Sequence, residues 1–238
     1  LADRAGDEFD PNSVLVLAGS REAATALRDQ LAIDFQGATE GPLARTISSF
    51  AYSLLREEAL RSGKKLPELI SGAEQDRILA SIIEEMQAGN LGEIVWPKHI
   101  DKTVRSLNGF RAELRDLVMV CLEHGISPER LTKLGQDFKR PEWEAAARLQ
   151  QEYLAVLSSA ENAHRYDPSM LVVEATHLLA NYDKDDAAFS APLGLQRIRL
   201  IVVDDAHELT PSAQSFLLAL VGKTRGLVVA ADPDSTTM

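Results

Sequence analysis

The chain holds 238 residues, 45% of them hydrophobic and 26% charged, enough to bury one large core or two modest ones. A net charge of −11 argues against gripping nucleic acid by bulk electrostatics, while leaving room for a local basic groove. One cysteine, Cys121, excludes an internal disulfide framework and fits a reducing cytoplasm, and no apolar stretch reaches membrane-spanning length.

After a polar lead, residues 14–17 read as a short buried strand, and Ser20 caps a helix to about Leu31 with Ala23, Ala24, Leu27 and Leu31 at helical spacing. A loop is expected from Gly37 to Pro42. Residues 45–47 form a second short strand, with Ser48 or Ser49 capping a helix to Leu60. Strand, helix, strand, helix is the rhythm of a parallel α/β sheet.

That rhythm stops at Leu66, and no strand is expected before Tyr182. Ser71 and Glu74 form a capping box ahead of Ile78, Leu79, Ile82, Ile83 and Met86, which share one helix face. Pro97 starts a long helix ending at Gly125, and Ser127-Pro128 starts a short one. Pro141 starts a helix to Ser158, and Asp167-Pro168 caps another to Ala180. The α/β pattern returns with a strand at 198–203, a helix at 211–221 and a last strand at 227–230. Three segments follow: residues 1–64 open an α/β domain, 65–182 form an all-helical insert, and 183–238 return to the α/β domain.

The chemistry concentrates where the strand at 198–203 emerges, in the stretch RLIVVDDAHE (199–208). Asp204 and Asp205 are adjacent carboxylates at a strand exit, and three readings compete for them. A phosphoacceptor domain needs a second acid and a lysine over more than the 33 residues that follow, so spacing excludes it. A magnesium site in a nucleotide hydrolase needs one acid near the metal shell and a second group on the attacking water; successive residues leaving a strand point differently and can serve both. An ordinary turn and helix cap is the third, since aspartate is common at such turns. Gly222-Lys223-Thr224 is no phosphate loop: the earlier glycine position is Leu217, and a helix precedes it where a strand is required. Cys121 and His124 sit one helical turn apart without a second pair, and His99, His164 and His177 stand alone in sequence, so no metal centre is expected from them.

Wider context favours the hydrolase. The stretch VDDAHELTPSAQ (203–214) is similar to the second helicase motif of superfamily 1 DNA helicases of the UvrD/Rep type, usually V-D-E-x-Q-D. ADPDS (231–235) resembles the third, usually G-D-P-D-Q. TISSFA (46–51) looks like the family's T-x-H-S-F-A element, and residues 14–31 match the segment that follows the phosphate loop. Residues 71–76, 110–117, 140–143 and 165–168 resemble the helical insert of actinobacterial members, particularly subunits like RecB and AdnA.

The resemblance implies a partial RecA-like motor domain of the P-loop NTPase class carrying a helical insert, with ATP and Mg2+ as cofactors and DNA as partner. Asp204 would hold the magnesium shell through water, and Asp205 would position the hydrolytic water in place of the usual glutamate, one methylene shorter. His207 stands where a glutamine couples nucleotide to DNA, Glu208 stands for the following acid, and Asp232 and Ser235 would face the nucleotide. Ser20, Arg21, Thr46, Ser48 and Ser49 would meet DNA phosphates, contacts that position without specifying sequence. Gly19 replaces a base-stacking aromatic, whose loss costs about 1–3 kcal/mol per base. The phosphate loop is expected upstream of Leu1, leaving the chain alone inactive. Two functions stay open: part of an ATP-driven DNA translocase in repair or recombination, or a motor-like scaffold subunit of a helicase–nuclease with little ATPase activity.

Overall fold

The computed structural model describes residues 10–34, 39, 41–91, 95–182, 191 and 193–232. Strand β1 (Val14–Ala18) passes through Gly19 into α1 (Arg21–Asp34), where Ser20 Oγ accepts the Ala23 N–H at 3.0 Å, the expected cap. The loop expected at Gly37–Pro42 lies partly outside the described residues. β2 (Ala44–Thr46) runs directly into α2 (Ile47–Ser62). The α2 cap is Thr46, whose Oγ1 accepts the Ser49 N–H at 3.1 Å, and neither Ser48 nor Ser49. Thr46 also pairs with Ala18, so one residue ends a ladder and opens a helix. Gly63 closes α2 in the left-handed conformation, φ 65°.

β3 (Glu68–Leu69) and β4 (Arg165–Tyr166) form a parallel pair inside the region expected to lack strands. Two residues are too few for alternation to show in a sequence. α3 (Gly72–Gln87) carries the full capping box: Glu74 accepts the Ser71 N–H at 2.8 Å, and Ser71 Oγ accepts the Glu74 N–H at 3.3 Å. The single long helix expected from Pro97 is instead α4 (Lys102–Ser106) and α5 (Asn108–Glu123), broken at the extended residue Leu107. The Asp101 carboxylate caps α4 by accepting from the Val104 N–H at 3.0 Å, a start five residues later than the proline suggests. α6 (Pro128–Asp137) and α7 (Pro141–Leu157) both begin at proline, whose missing N–H costs nothing in a first turn. α8 (Pro168–Tyr182), α9 (Leu193–Arg197), β5 (Leu200–Val203), α10 (Pro211–Val221) and β6 (Gly226–Val229) complete the chain.

The chain divides into two compact units, 65–171 and the flanking 1–64 with 172–238, and the second division falls within α8. In the α/β unit the four strands are all parallel, in the order β2-β1-β5-β6. Leu15, Leu17, Ile201 and Val203 lie in register on one buried face, and the rings of Phe50 from α2 and Phe216 from α10 meet edge-to-face at 6.4 Å. β6 differs: Leu227, Val228 and Val229 are 39, 47 and 52% exposed, on both faces of the strand. Near the α2 end, Tyr182 Oη donates to Glu58 at 2.8 Å and Arg61 lies 5.9 Å from the Tyr182 ring centroid. Burial first, and then Glu58, raise the Tyr182 phenol well above its ordinary pKa.

The helical unit is built around α3, α5, α6 and α7, with Leu79, Val118, Leu149 and Tyr153 almost wholly buried. At Gly135, α6 meets the start of α7 so closely that a Cβ would lie 3.0 Å from Arg140 O and 3.1 Å from the Glu144 nitrogen. Arg165 on β4 ion-pairs with Glu74 at 2.6 Å, tying the strand to the α3 capping box. Two of the stretches that carry the resemblance in this insert, 71–76 and 165–168, therefore meet as packing. Among the described residues no helix is long and apolar enough to cross a membrane.

Candidate functional site

A parallel strand's carboxyl end exposes loop backbone and helix N-termini, and a crevice forms where neighbouring connections leave in opposite directions. Here that switch lies between β1 and β5. The chain after β1 turns through α1 toward β2, whereas the chain after β5 turns through α10 toward β6.

Nearly every candidate from the sequence comes to this one rim. The register pairs Ala18 with Thr46, Leu17 with Val203, and Val203 with Val229. Across the rim therefore stand Thr46, Ser48 and Ser49 after β2; Gly19, Ser20 and Arg21 after β1; Asp204 and Asp205 after β5; and Asp232 beyond β6. Ser48, Ser49, Ser20, Arg21, His207 and Asp232 are exposed, and Asp204 and Asp205 are half-buried. Ser235 lies outside the described residues. The hydroxyls of Ser20 and Thr46 already accept helix-capping bonds, which leaves each with a proton to donate.

The acid pair is held through its backbone. The Asp204 N–H donates to Leu17 O at 2.9 Å, tying the end of β5 to β1. Two residues further, the Ala206 N–H donates to Ala230 O at 2.9 Å, and the Ala230 N–H donates back to Val203 O at 2.8 Å. Between these anchors Asp205 takes a left-handed conformation, φ 49° and ψ 45°. Such a backbone is uncommon outside glycine, and aspartate is among the residues that tolerate it. Strain of this kind persists only where the surroundings over-determine it. Among the described residues, neither the Asp204 nor the Asp205 carboxylate has a hydrogen-bond or ion-pair partner.

This geometry bears on the three sequence readings. Asp205 precedes a short 3-10 turn at Ala206–Glu208, yet its side chain makes no capping bond there. The α10 cap is Thr210, which accepts the Ala213 N–H at 3.3 Å. Turn-and-cap duty therefore leaves both carboxylates unused. Two neighbouring anions without a described counter-charge favour a cation at this rim. Among the described residues no three His, Cys, Asp or Glu side chains converge as a direct metal cage. An acid pair at one rim suits a magnesium ion that keeps most of its own water.

One relation escaped the sequence. A Cβ on Gly19 would sit 3.1 Å from Glu208 Oε2, so the missing side chain makes room for that carboxylate. Gly19 has no positive φ, so the glycine serves space rather than backbone freedom. The two residues are 189 positions apart, and only their placement beyond neighbouring strands connects them.

The family model of the UvrD/REP helicase N-terminal domain matches residues 5–236, nearly the whole chain. No curated protein matches it.

Proposed function

The chain belongs to the UvrD/REP helicase N-terminal domain family, and from that premise we propose that its parent is an ATP-driven translocase on single-stranded DNA or strand junctions. The single observation that carries the reading is the pair of half-buried carboxylates, Asp204 and Asp205, without a partner among the described residues, at the switch between β1 and β5. A magnesium nucleotide would supply the cation and the phosphoanhydride to be cleaved. Asp204 would accept hydrogen bonds from water on the metal. Asp205 would orient the attacking water and draw its proton, a role that depends on reach as much as basicity. His207, Asp232 and Ser235 would border the nucleotide. Ser20, Arg21, Thr46, Ser48 and Ser49 share the rim and would hold DNA phosphates by hydroxyl and guanidinium donors.

On this reading the phosphate loop belongs to a segment preceding Leu1, and the motor domain is completed by residues outside this chain. The outer edge of β6 supports it. A parallel strand apolar on both faces is built to be covered, and among the described residues Leu227 to Val229 are left open. The actinobacterial, RecB- or AdnA-like subtype, a cytoplasmic role in repair or recombination, and a second helicase–nuclease subunit as partner belong to the same proposal.

The test is ATP hydrolysis by the longer parent, with and without single-stranded DNA, beside an Asp205→Asn variant. Asparagine keeps the left-handed backbone and removes only the charge. Expected is DNA-stimulated turnover that falls about 100-fold or more in the variant while DNA binding persists. Unchanged turnover in the variant, or robust turnover by the 238-residue chain alone, would sink the proposal.

Gly19 favours a second reading. Where the family resemblance sets a stacking ring, this rim presents the Glu208 carboxylate, which repels a phosphate backbone. A scaffold subunit with weak DNA grip fits that substitution, and negligible turnover by the unmodified parent would select it.

A further inference from the structure

At the opposite end of the sheet, beside the amino ends of β1, β2 and β5, lies a cavity of about 210 Å³. Val14, Leu43 and Ile198 place it there, at the far end of β1 and β5 from Asp204 and Asp205, and Arg45, one residue before Thr46 on β2, reaches back into it. Leu43, Phe50, Leu195 and Ile198 give it apolar walls, and the guanidinium of Arg45 stands among them.

Arg45 is in an unusual position for a cation. Its Nε donates to Pro42 O at 3.3 Å and its Nη1 to Ser53 Oγ at 3.1 Å, both neutral acceptors, and it lies 6.0 Å from the Phe50 ring centroid. Among the described residues no carboxylate reaches it within ion-pair distance, and Glu57, on the same wall, does not offset its desolvation. Burial accordingly lowers its pKa from the ordinary arginine value. Of five guanidinium N–H donors, three are not spent on these two bonds. Partly buried charges in folded proteins are normally matched by an opposite charge.

We infer that this cavity is a binding site for a small carboxylate with a short aliphatic tail, the carboxylate seated on Arg45 and the tail against Leu43, Leu195 and Ile198. Guanidinium and carboxylate match as planar forks, which distinguishes this ligand class from a spherical anion. The volume is below that of sites for drug-sized ligands, about 300–1,000 Å³, which sets the scale at a few heavy atoms beyond the carboxylate. Nothing in the inference depends on nucleotide or DNA binding at the other rim.

The test is an NMR titration of the chain with butyrate at constant ionic strength, following the Arg45 Nε–H and the methyls of Leu195 and Ile198. Butyramide, inorganic phosphate and an Arg45→Gln variant are run beside it. Expected is saturation with Kd of about 1–10 mM, weakened about tenfold or more for butyramide and for the variant. Should the variant fail to fold, the butyrate–butyramide comparison on the unaltered chain decides alone. Equal affinity for the amide, no saturation by butyrate, or shifts confined to other residues would overturn the assignment. So would phosphate moving the Arg45 resonance as strongly as butyrate without the methyls responding, which would mean an adventitious ion only.

Discussion

Two aspartate settings in this molecule share one local grammar and end differently. In the helical unit, β4 ends at Tyr166 and Asp167 follows; in the α/β unit, β5 ends at Val203 and Asp204 and Asp205 follow. Asp167 is wholly buried. Its Oδ1 accepts the N–H groups of Ser169 at 2.9 Å and Met170 at 2.8 Å, and its Oδ2 accepts Tyr153 Oη at 3.3 Å. Among the described residues, the half-buried Asp204 and Asp205 spend only their backbones on structure. A carboxylate whose acceptors are all engaged is a structural part, whereas one held rigidly by its backbone with idle oxygens is available for chemistry.

The comparison breaks most sharply under substitution. Asp205→Asn should cost the parent about 100-fold or more in DNA-stimulated turnover and leave its melting temperature nearly unchanged. Asp167→Ala should do the reverse. It removes a helix cap, about 0.5–2 kcal/mol, and takes away the acceptor of the buried Tyr153 O–H, about 1–3 kcal/mol more, in urea unfolding of the chain. A fall in turnover with unchanged stability for Asp167→Ala would erase the distinction.

Acidity sharpens it further. Burial raises the Asp167 pKa above the ordinary carboxylate value, outweighing the two backbone N–H bonds and the Tyr153 bond that pull it down. Burial first, and then the Asp167 charge, push the Tyr153 hydroxyl upward as well. A carboxyl with a raised folded-state pKa contributes stability that is fully present below its unfolded pKa, about 3.9, and that is lost as pH rises through the folded value. Unfolding curves of Asp167→Asn, which does not titrate, should therefore gain on the unsubstituted chain as pH rises from about 4. A gap that is constant with pH would place the group outside this balance.

The smallest expected effect concerns the two left-handed residues. Lys139, φ 53°, follows α6 where Arg140 N–H bonds back to Gly135 O at 2.7 Å, an ordinary helix ending. Asp205, φ 49°, ends no helix. Glycine at either position should add about 0.5–1 kcal/mol by relieving the backbone, read as a rise in denaturation midpoint. Only at Asp205 should that gain cost function, as expected where strain is kept for a site.

What the sequence determined by itself lies in local physics. Ser20, the Ser71–Glu74 box, Ser127-Pro128 and Asp167-Pro168 mark helix starts because a capping bond spans only two or three residues. The apolar runs at 14–18 and 200–203 are buried strands because both stand in the middle of a parallel sheet. Their carboxyl ends form the rim on which the described candidates stand.

Other features depended on residues far apart in the chain. The helical pattern continues on both sides of Leu107, so the break between α4 and α5 is invisible to periodicity. β3 and β4 exist only because segments 97 residues apart pair. The choice of Thr46 over Ser48 or Ser49 as cap followed from where the pairing with β1 ends. Glu208 over Gly19, and Arg45 without a carboxylate partner among the described residues, belong to the same class. Propensity and capping act over a few residues and leave their mark in the sequence. Burial, counter-charge and close approach are set by whichever distant atoms the fold brings near, and only the tertiary structure decides those.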